Sequence, residues 1–199
     1  MFNYQNEQLQ NINLRRAINL AIDRSDFAKN VLKDGSVAAQ GFVPSNLSES
    51  SAGTDFRDDS GSYLSYDLTQ AQQYLDAALQ ELGVSEITLE LLYGNNEAPN
   101  DTAAEYLESA LSKLNGLNIE MKVETKNARL DDMTNGNFDM AVTRWGPDFA
   151  DPTTYLTLYN STNSNNDGKY SNPEFDAILE QITNENNVDA RWQLMIQAE

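Results

Sequence analysis

The run Asp67–Tyr93, DLTQAQQYLDAALQELGVSEITLELLY, decides the fold, because its apolar period changes partway along. After Asp67 the apolar side chains fall at Ala71, Tyr74, Leu75, Ala78, Leu79 and Leu82, which is one stripe of a helix. Gly83 stands where a helix ends in a left-handed residue. Ile87, Leu89 and Leu91 then alternate, as on one face of a strand.

The alternation of helix and strand continues in both directions. After the turn GNNEAPN, Ala104, Leu107, Leu111 and Leu114 mark a helix. LNIEMKVET sets Ile119, Met121 and Val123 against Glu120, Lys122 and Glu124, a half-buried strand. A short helix, ARLDDMTNG, leads to a strand, FDMAVTRW. Upstream, Leu14, Ala17, Ile18, Ala21 and Ile22 have helical spacing, and a second helix, DFAKNVLK, is capped by Asp23 or Ser25 and ended by Gly35. Residues 36–62 are rich in Ser, Gly and Asp without a period and read as one long loop. DPTTYLTLYN, an Asn-rich loop and the helices PEFDAILEQITN and NVDARWQLMIQAE complete the chain. This order predicts an α/β fold of three layers, with helices flanking a mixed, partly parallel sheet, because parallel neighbours need helical crossovers.

Composition narrows the function. A formal charge of −18, with 13 scattered Lys and Arg, argues against nucleic acid and against an anionic membrane surface. The chain has neither Cys nor His, which excludes thiolate, Cys/His zinc and Ser-His-Asp chemistry. No apolar run reaches the roughly 20 residues of a membrane span. The start lacks a signal-peptide pattern and the end stops within a helical pattern, so the sequence is expected to be a piece of a longer protein. No GxxxxGKS or GxGxxG is present, and no cofactor is expected.

The densest chemistry lies in TRWGPDFADPTTYL, residues 143–156. Asp151 precedes Pro152 and suits a helix cap. Asp148 has no such duty, and Pro147 before it restricts its direction. A carboxylate set beside Trp145 suits a cation such as an ammonium group. Trp145 could instead be a core aromatic, but its place before Gly146 favours an outward ring. Asp148 and Asp151 could also serve as an acid/base pair, if one of them had a raised pKa. In NSNNDGKYSNPE, the residues Asn163, Asn165, Asp167, Gly168 and Glu174 match part of a calcium-loop template. Lys169 and Pro173 fit that template badly, and an Asn-rich turn before a helix is the other reading. Asn46, Asn100 and Asn160 begin sequons that matter only in a eukaryotic secretory pathway.

Several ordered motifs together resemble the oligopeptide-binding proteins of ABC importers. INLRRAINLAIDRSDFAKNVLKDGSVAAQGFVPSNL resembles the segment opening their C-terminal lobe, with Arg15 or Arg16, Ala17, Ala21, Asp23, Arg24 and Pro44 at the matching places. YDLTQAQQYLDAALQELG, ITLELLY, GNFDMAVTRWGPDFADPTTYL and GKYSNPEFDAILEQ follow in order. The resemblance implies that residues 1–199 are a single α/β lobe of a two-lobed, periplasmic-binding-protein type II fold. A missing first lobe would close on this one around an extended oligopeptide.

It also implies no enzymatic activity, no metal, a monomer, and delivery of the ligand to an ABC transporter permease. The parent would be extracytoplasmic, either periplasmic or a cell-surface lipoprotein. Within the resemblance, Asp148 takes the peptide's α-amine, Trp145 stands beside it, and the backbone of Arg144 and Gly146 pairs with the peptide main chain. Val142 occupies a place where some relatives carry an Arg, which leaves peptide length and preference open. Alternatives are a non-peptide solute, such as a nickel complex, haem or sugar, and a hydrolase using Asp148 and Asp151.

Overall fold

A computed structural model describes residues 1–95 and 97–199. Along the chain run α1 (Ile12–Leu20), α2 (Arg24–Asp26), α3 (Phe56–Ser60), α4 (Leu68–Leu82), β1 (Ile87–Gly94), α5 (Asn100–Leu111), β2 (Leu117–Glu124), α6 (Lys126–Asn135), β3 (Met140–Ala141), α7 (Thr153–Leu156), α8 (Pro173–Asn184) and α9 (Val188–Ala198). A π-helical stretch, Phe27–Leu32, continues α2. Contacts divide the chain into two compact units, one of residues 1–38 and 65–143, the other of residues 39–64 and 144–199.

The first unit holds the sheet. Among the described residues its order is β2-β1-β3, with β1 parallel to both neighbours. The chain start adds one isolated antiparallel bridge, Phe2 to Met140, outside the three parallel strands. Leu89 and Leu91 point to one face, where α1, α4 and α5 supply Leu14, Ala17, Leu75, Ala78, Ala104 and Leu111. Leu92 points to the other, against Met133 of α6, Phe138 and Ala141. These are the three layers that the sequence order predicts.

Local chemistry explains the helix ends. Asp67 caps α4 by accepting from the Gln70 N–H, and Gly83 ends it at φ 69°. Asp23, rather than Ser25, caps α2 through the Ser25 and Asp26 N–H groups. The helical stretch that follows stops at Lys33, φ 55°, before Gly35 is reached. In β2 the alternation has the expected face, opposite Leu89, Leu91 and Tyr93. Burial nevertheless fades along it, and Met121 and Val123 are exposed because β2 is the sheet's edge. β3 is far shorter than the strand expected over FDMAVTRW, although the Val142 N–H still donates to the Leu92 carbonyl at 2.8 Å.

The second unit is helical, built on Val43, Phe56, Leu156, Leu179, Ile182, Trp192 and Met195. Here residues 36–55 form the loop expected, but it is packed, and the short α3 closes the stretch. Val43 and Phe56 are fully buried, and Asp55 caps the short α3. Phe56 meets Trp192 of α9 edge-on at 5.2 Å, and the Trp192 indole N–H donates to Asp59 at 2.9 Å. The Arg57–Glu199 ion pair is almost wholly buried. The elements that bury this segment lie over 100 residues downstream, so no local period reveals it.

Candidate functional site

Every residue from Arg144 to Ala150 is exposed. Trp145 is 41% exposed and Phe149 54%, so the outward reading of the indole holds. The loop is nevertheless fixed in the second unit through its backbone. The Asp148 N–H donates to Thr154 Oγ1 at 2.9 Å, and the Tyr155 hydroxyl reaches the Trp145 carbonyl at 3.4 Å. Both anchors come from α7, with Thr154 and Leu156 buried. Among the described residues the Asp148 carboxylate accepts no hydrogen bond, so the loop holds its main chain and leaves its charge available. Gly146 is not required by packing, since a Cβ built there meets nothing within 4 Å.

Asp151 is the opposite case. Its Oδ2 accepts from Arg191 Nη1 at 2.7 Å and its Oδ1 from Arg191 Nη2 at 3.1 Å. Oδ1 also accepts from the Thr153 N–H at 3.0 Å and the Thr153 hydroxyl at 2.5 Å. Helix α7 starts at Thr153 with Pro152 at its N-cap, so Asp151 lies one residue outside the expected cap place, although its Oδ1 still accepts the Thr153 N–H. Burial pushes the Asp151 carboxyl up, but the bonds from Arg191 and Thr153 outweigh it and hold the group below the usual carboxylate range. The same pairing raises the Arg191 guanidinium. An acid/base pair needs one carboxyl held protonated near neutrality. Asp151 is driven the other way, and Asp148 is the carboxylate of the two without a partner among the described residues.

In the Asn-rich loop the side chains serve the main chain. Asn163 accepts from the Asn165 N–H at 2.8 Å and donates to the Thr157 carbonyl at 2.7 Å. The buried Asn166 donates to the carbonyls of Asn160 and Tyr170. Asn172 caps α8 with Pro173 in its first turn, which is the turn-and-helix reading. Among the described residues no cluster of acidic side chains could hold a metal ion. Two marked concavities, of about 470 Å³ around Asn6, Glu90 and Lys122 and about 700 Å³ around Asn160, Asp176 and Thr183, include neither Asp148 nor Trp145.

Thr154, Tyr155 and Arg191 were not singled out by the sequence. Thr154 and Tyr155 sit in the visible motif DPTTYL, but which of its side chains turns back to the loop depends on where α7 begins. Arg191 lies 40 residues from Asp151 and no spacing rule connects them.

Residues 1–167 match the model of the bacterial extracellular solute-binding proteins, family 5 middle. The chain belongs to that family of solute-binding proteins. It is 38% identical over 176 residues to the dipeptide-binding protein of Lactococcus lactis subsp. cremoris (strain MG1363), covering 88% of this chain and 32% of that protein. It is 28% identical over 198 residues to the dipeptide-binding protein DppE of Bacillus subtilis (strain 168), covering 100% and 36% respectively. The chain therefore spans only 32% to 36% of the length of these relatives. Among solved structures it is similar to a peptide-binding protein of a peptide ABC transporter, with a TM-score of 0.94, 32% identity, and coverage of 100% of this chain and 89% of that one. It is also similar to Listeria monocytogenes OppA bound to peptide, with a TM-score of 0.90, 35% identity, and coverage of 100% and 38%.

Proposed function

We propose that these 199 residues act as one lobe of an extracytoplasmic oligopeptide-binding protein that hands its ligand to an ABC transporter permease. The observation that carries this reading is the exposed Asp148 carboxylate, without a partner among the described residues, on a loop whose backbone is anchored by Thr154. A carboxylate so placed forms a charge-assisted hydrogen bond with a free α-amine and thereby fixes the direction of a peptide. Trp145 stands beside that amine. The main chain of Arg144 and Gly146 pairs with the peptide backbone, an interaction that supplies affinity without reading side chains. The open space at Gly146 suits that approach, since a backbone can lie close to a residue with no side chain. The names of the relatives, dipeptide- and oligopeptide-binding proteins, support a peptide over a metal complex, haem or sugar.

In this reading the protein binds its ligand without turning it over, works as a monomer, and has a parent that is periplasmic or lipid-anchored at the cell surface. A first lobe supplies the other wall of the site.

The test uses the intact binding protein that contains this chain, titrated calorimetrically with one short peptide in free-amine and N-acetylated forms. Asp148→Asn should weaken the free-amine peptide about 10- to 100-fold, in line with loss of a charge-assisted bond. Binding of the acetylated peptide should change less than about threefold. Equal losses for both forms, or none for either, would overturn the role of Asp148.

A further inference from the structure

The second unit carries a row of aromatic rings that amine recognition leaves unexplained. Phe42 is 41% exposed, although the next residue, Val43, is fully buried. Its ring stands edge-on to Tyr159 at 4.9 Å and to Tyr155 at 5.9 Å between centroids. Tyr155 is the residue whose hydroxyl reaches the Trp145 carbonyl, and its neighbour Thr154 holds the Asp148 N–H. Phe42 thus adjoins the turn of helix that anchors the Asp148 loop.

The backbone beneath Phe42 is fixed with unusual care for an exposed ring. The N–H groups of Phe42 and Val43 both donate to Glu199 Oε1, at 2.6 and 2.9 Å. That carboxylate is 2% exposed and also takes the Arg57 guanidinium and the Ser60 hydroxyl. Gly41 lets this cluster close, because a Cβ there would fall 1.4 Å from Arg57 Nη1. Burying a charged pair is a poor way to gain stability, since desolvation offsets most of the attraction. What the pair does achieve is a defined backbone at Phe42. A ring held in advance loses little freedom when a ligand meets it.

We propose that Phe42, backed by Tyr155, forms an aromatic wall that receives one apolar side chain of the peptide whose amine Asp148 holds, and that Glu199 is the positioning residue for Phe42. This rests on the peptide-binding reading above and names its side-chain preference. An added aromatic ring finds edge-on partners there, while a polar side chain gains nothing and leaves the wall in contact with water. The preference is therefore modest, as suits a carrier with broad specificity.

The experiment titrates the intact protein with four free-amine tetrapeptides, each all serine except for a single Phe moved through the four positions. In the unmodified protein one position should favour Phe over Ser by roughly fivefold to tenfold. Phe42→Ala should reduce that ratio below about twofold, and Phe42→Leu should keep part of it. Glu199→Ala, which removes the acceptor of the Phe42 and Val43 N–H groups, should reduce the same ratio, and since a ratio of two affinities is insensitive to the fraction folded, a loss of stability alone would not move it. The preference for free over acetylated amines should persist in all three variants. An unchanged positional ratio in Phe42→Ala, or no positional preference in the unmodified protein, overturns the proposal while amine dependence stands. Absence of any amine dependence in the unmodified protein removes the peptide reading and this proposal with it.

Discussion

The pairing of Asp151 with Arg191 offers a quantitative test of how the site loop is held. The guanidinium makes two bonds, at 2.7 and 3.1 Å, and the side chains are 31% and 28% exposed. Solvent screens a pair so placed, and its bidentate geometry puts it at the upper end of the surface range, about 1 kcal/mol. The bond from the Thr153 N–H caps the first turn of α7 and contributes about 1 kcal/mol more. Asp151→Ala should then cost about 2 kcal/mol, Arg191→Ala about 1 kcal/mol, and the double variant about 1 kcal/mol less than the sum. Asp151→Asn, which keeps an oxygen for Thr153, should cost about 1 kcal/mol. Urea unfolding followed by tryptophan fluorescence suits the measurement, because Trp145 and Trp192 both belong to the second unit. A coupling below about 0.3 kcal/mol would refute the pair as an anchor of α7.

Two further outcomes follow from the same geometry. The folded Asp151 carboxyl lies below its unfolded value, so its stabilisation is complete above the unfolded pKa of about 3.9 and is lost as pH falls through the lower folded value. The stability gap between the unmodified protein and Asp151→Asn should be constant from about pH 5 upward and shrink below about pH 4 in unfolding curves taken across that window; a gap independent of pH would contradict the assignment. Gly41→Ala places a Cβ 1.4 Å from Arg57 Nη1 and 2.4 Å from Glu199 Oε1, so these side-chain ends must shift, and parting the buried pair would cost about 3 kcal/mol. Thermal unfolding should show this as a fall of roughly 10 °C, and a change within 2 °C would show that the pair relaxes freely.

What could be read from sequence divides along the range of the interactions concerned. The helix α4, its Asp67 cap and Gly83 end, and strand β1 were all visible, because each is fixed by residues within one or two turns. The same holds for Asn172 and Pro173 at the start of α8. In residues 36–62 the loop is legible, but the burial of Val43 and Phe56 is not, because it depends on Trp192, Met195 and Glu199, far away along the chain. β3 was overextended because FDMAV alternates in sequence but not in space. Phe138 packs with Leu92 and Met133, whereas Met140 joins the opposite core. At the site, Pro147 and the Asp-Pro pair suggested where the carboxylates point. Which of the two carboxylates was occupied depended on Arg191, which no local pattern could supply.

On the proposed function, that last distinction bears on how an acidic chain would recognise one end of a peptide. A formal charge of −18 attracts any cation, whether a peptide's amine or a lysine side chain within it. At physiological ionic strength that attraction is screened over about 8 Å, so it favours encounter without fixing orientation. Orientation requires a single carboxylate at contact distance whose direction is set before the ligand arrives. Asp151 lies three residues from Asp148, but its oxygens are taken by Arg191 and Thr153. Asp148 is held by its own N–H, an interaction that positions the residue, and among the described residues its carboxylate oxygens accept no hydrogen bond. The loop thus separates two tasks that one acidic side chain could not perform together. One Asp ties the chain to α7, and on the proposed function the other is left for the ligand.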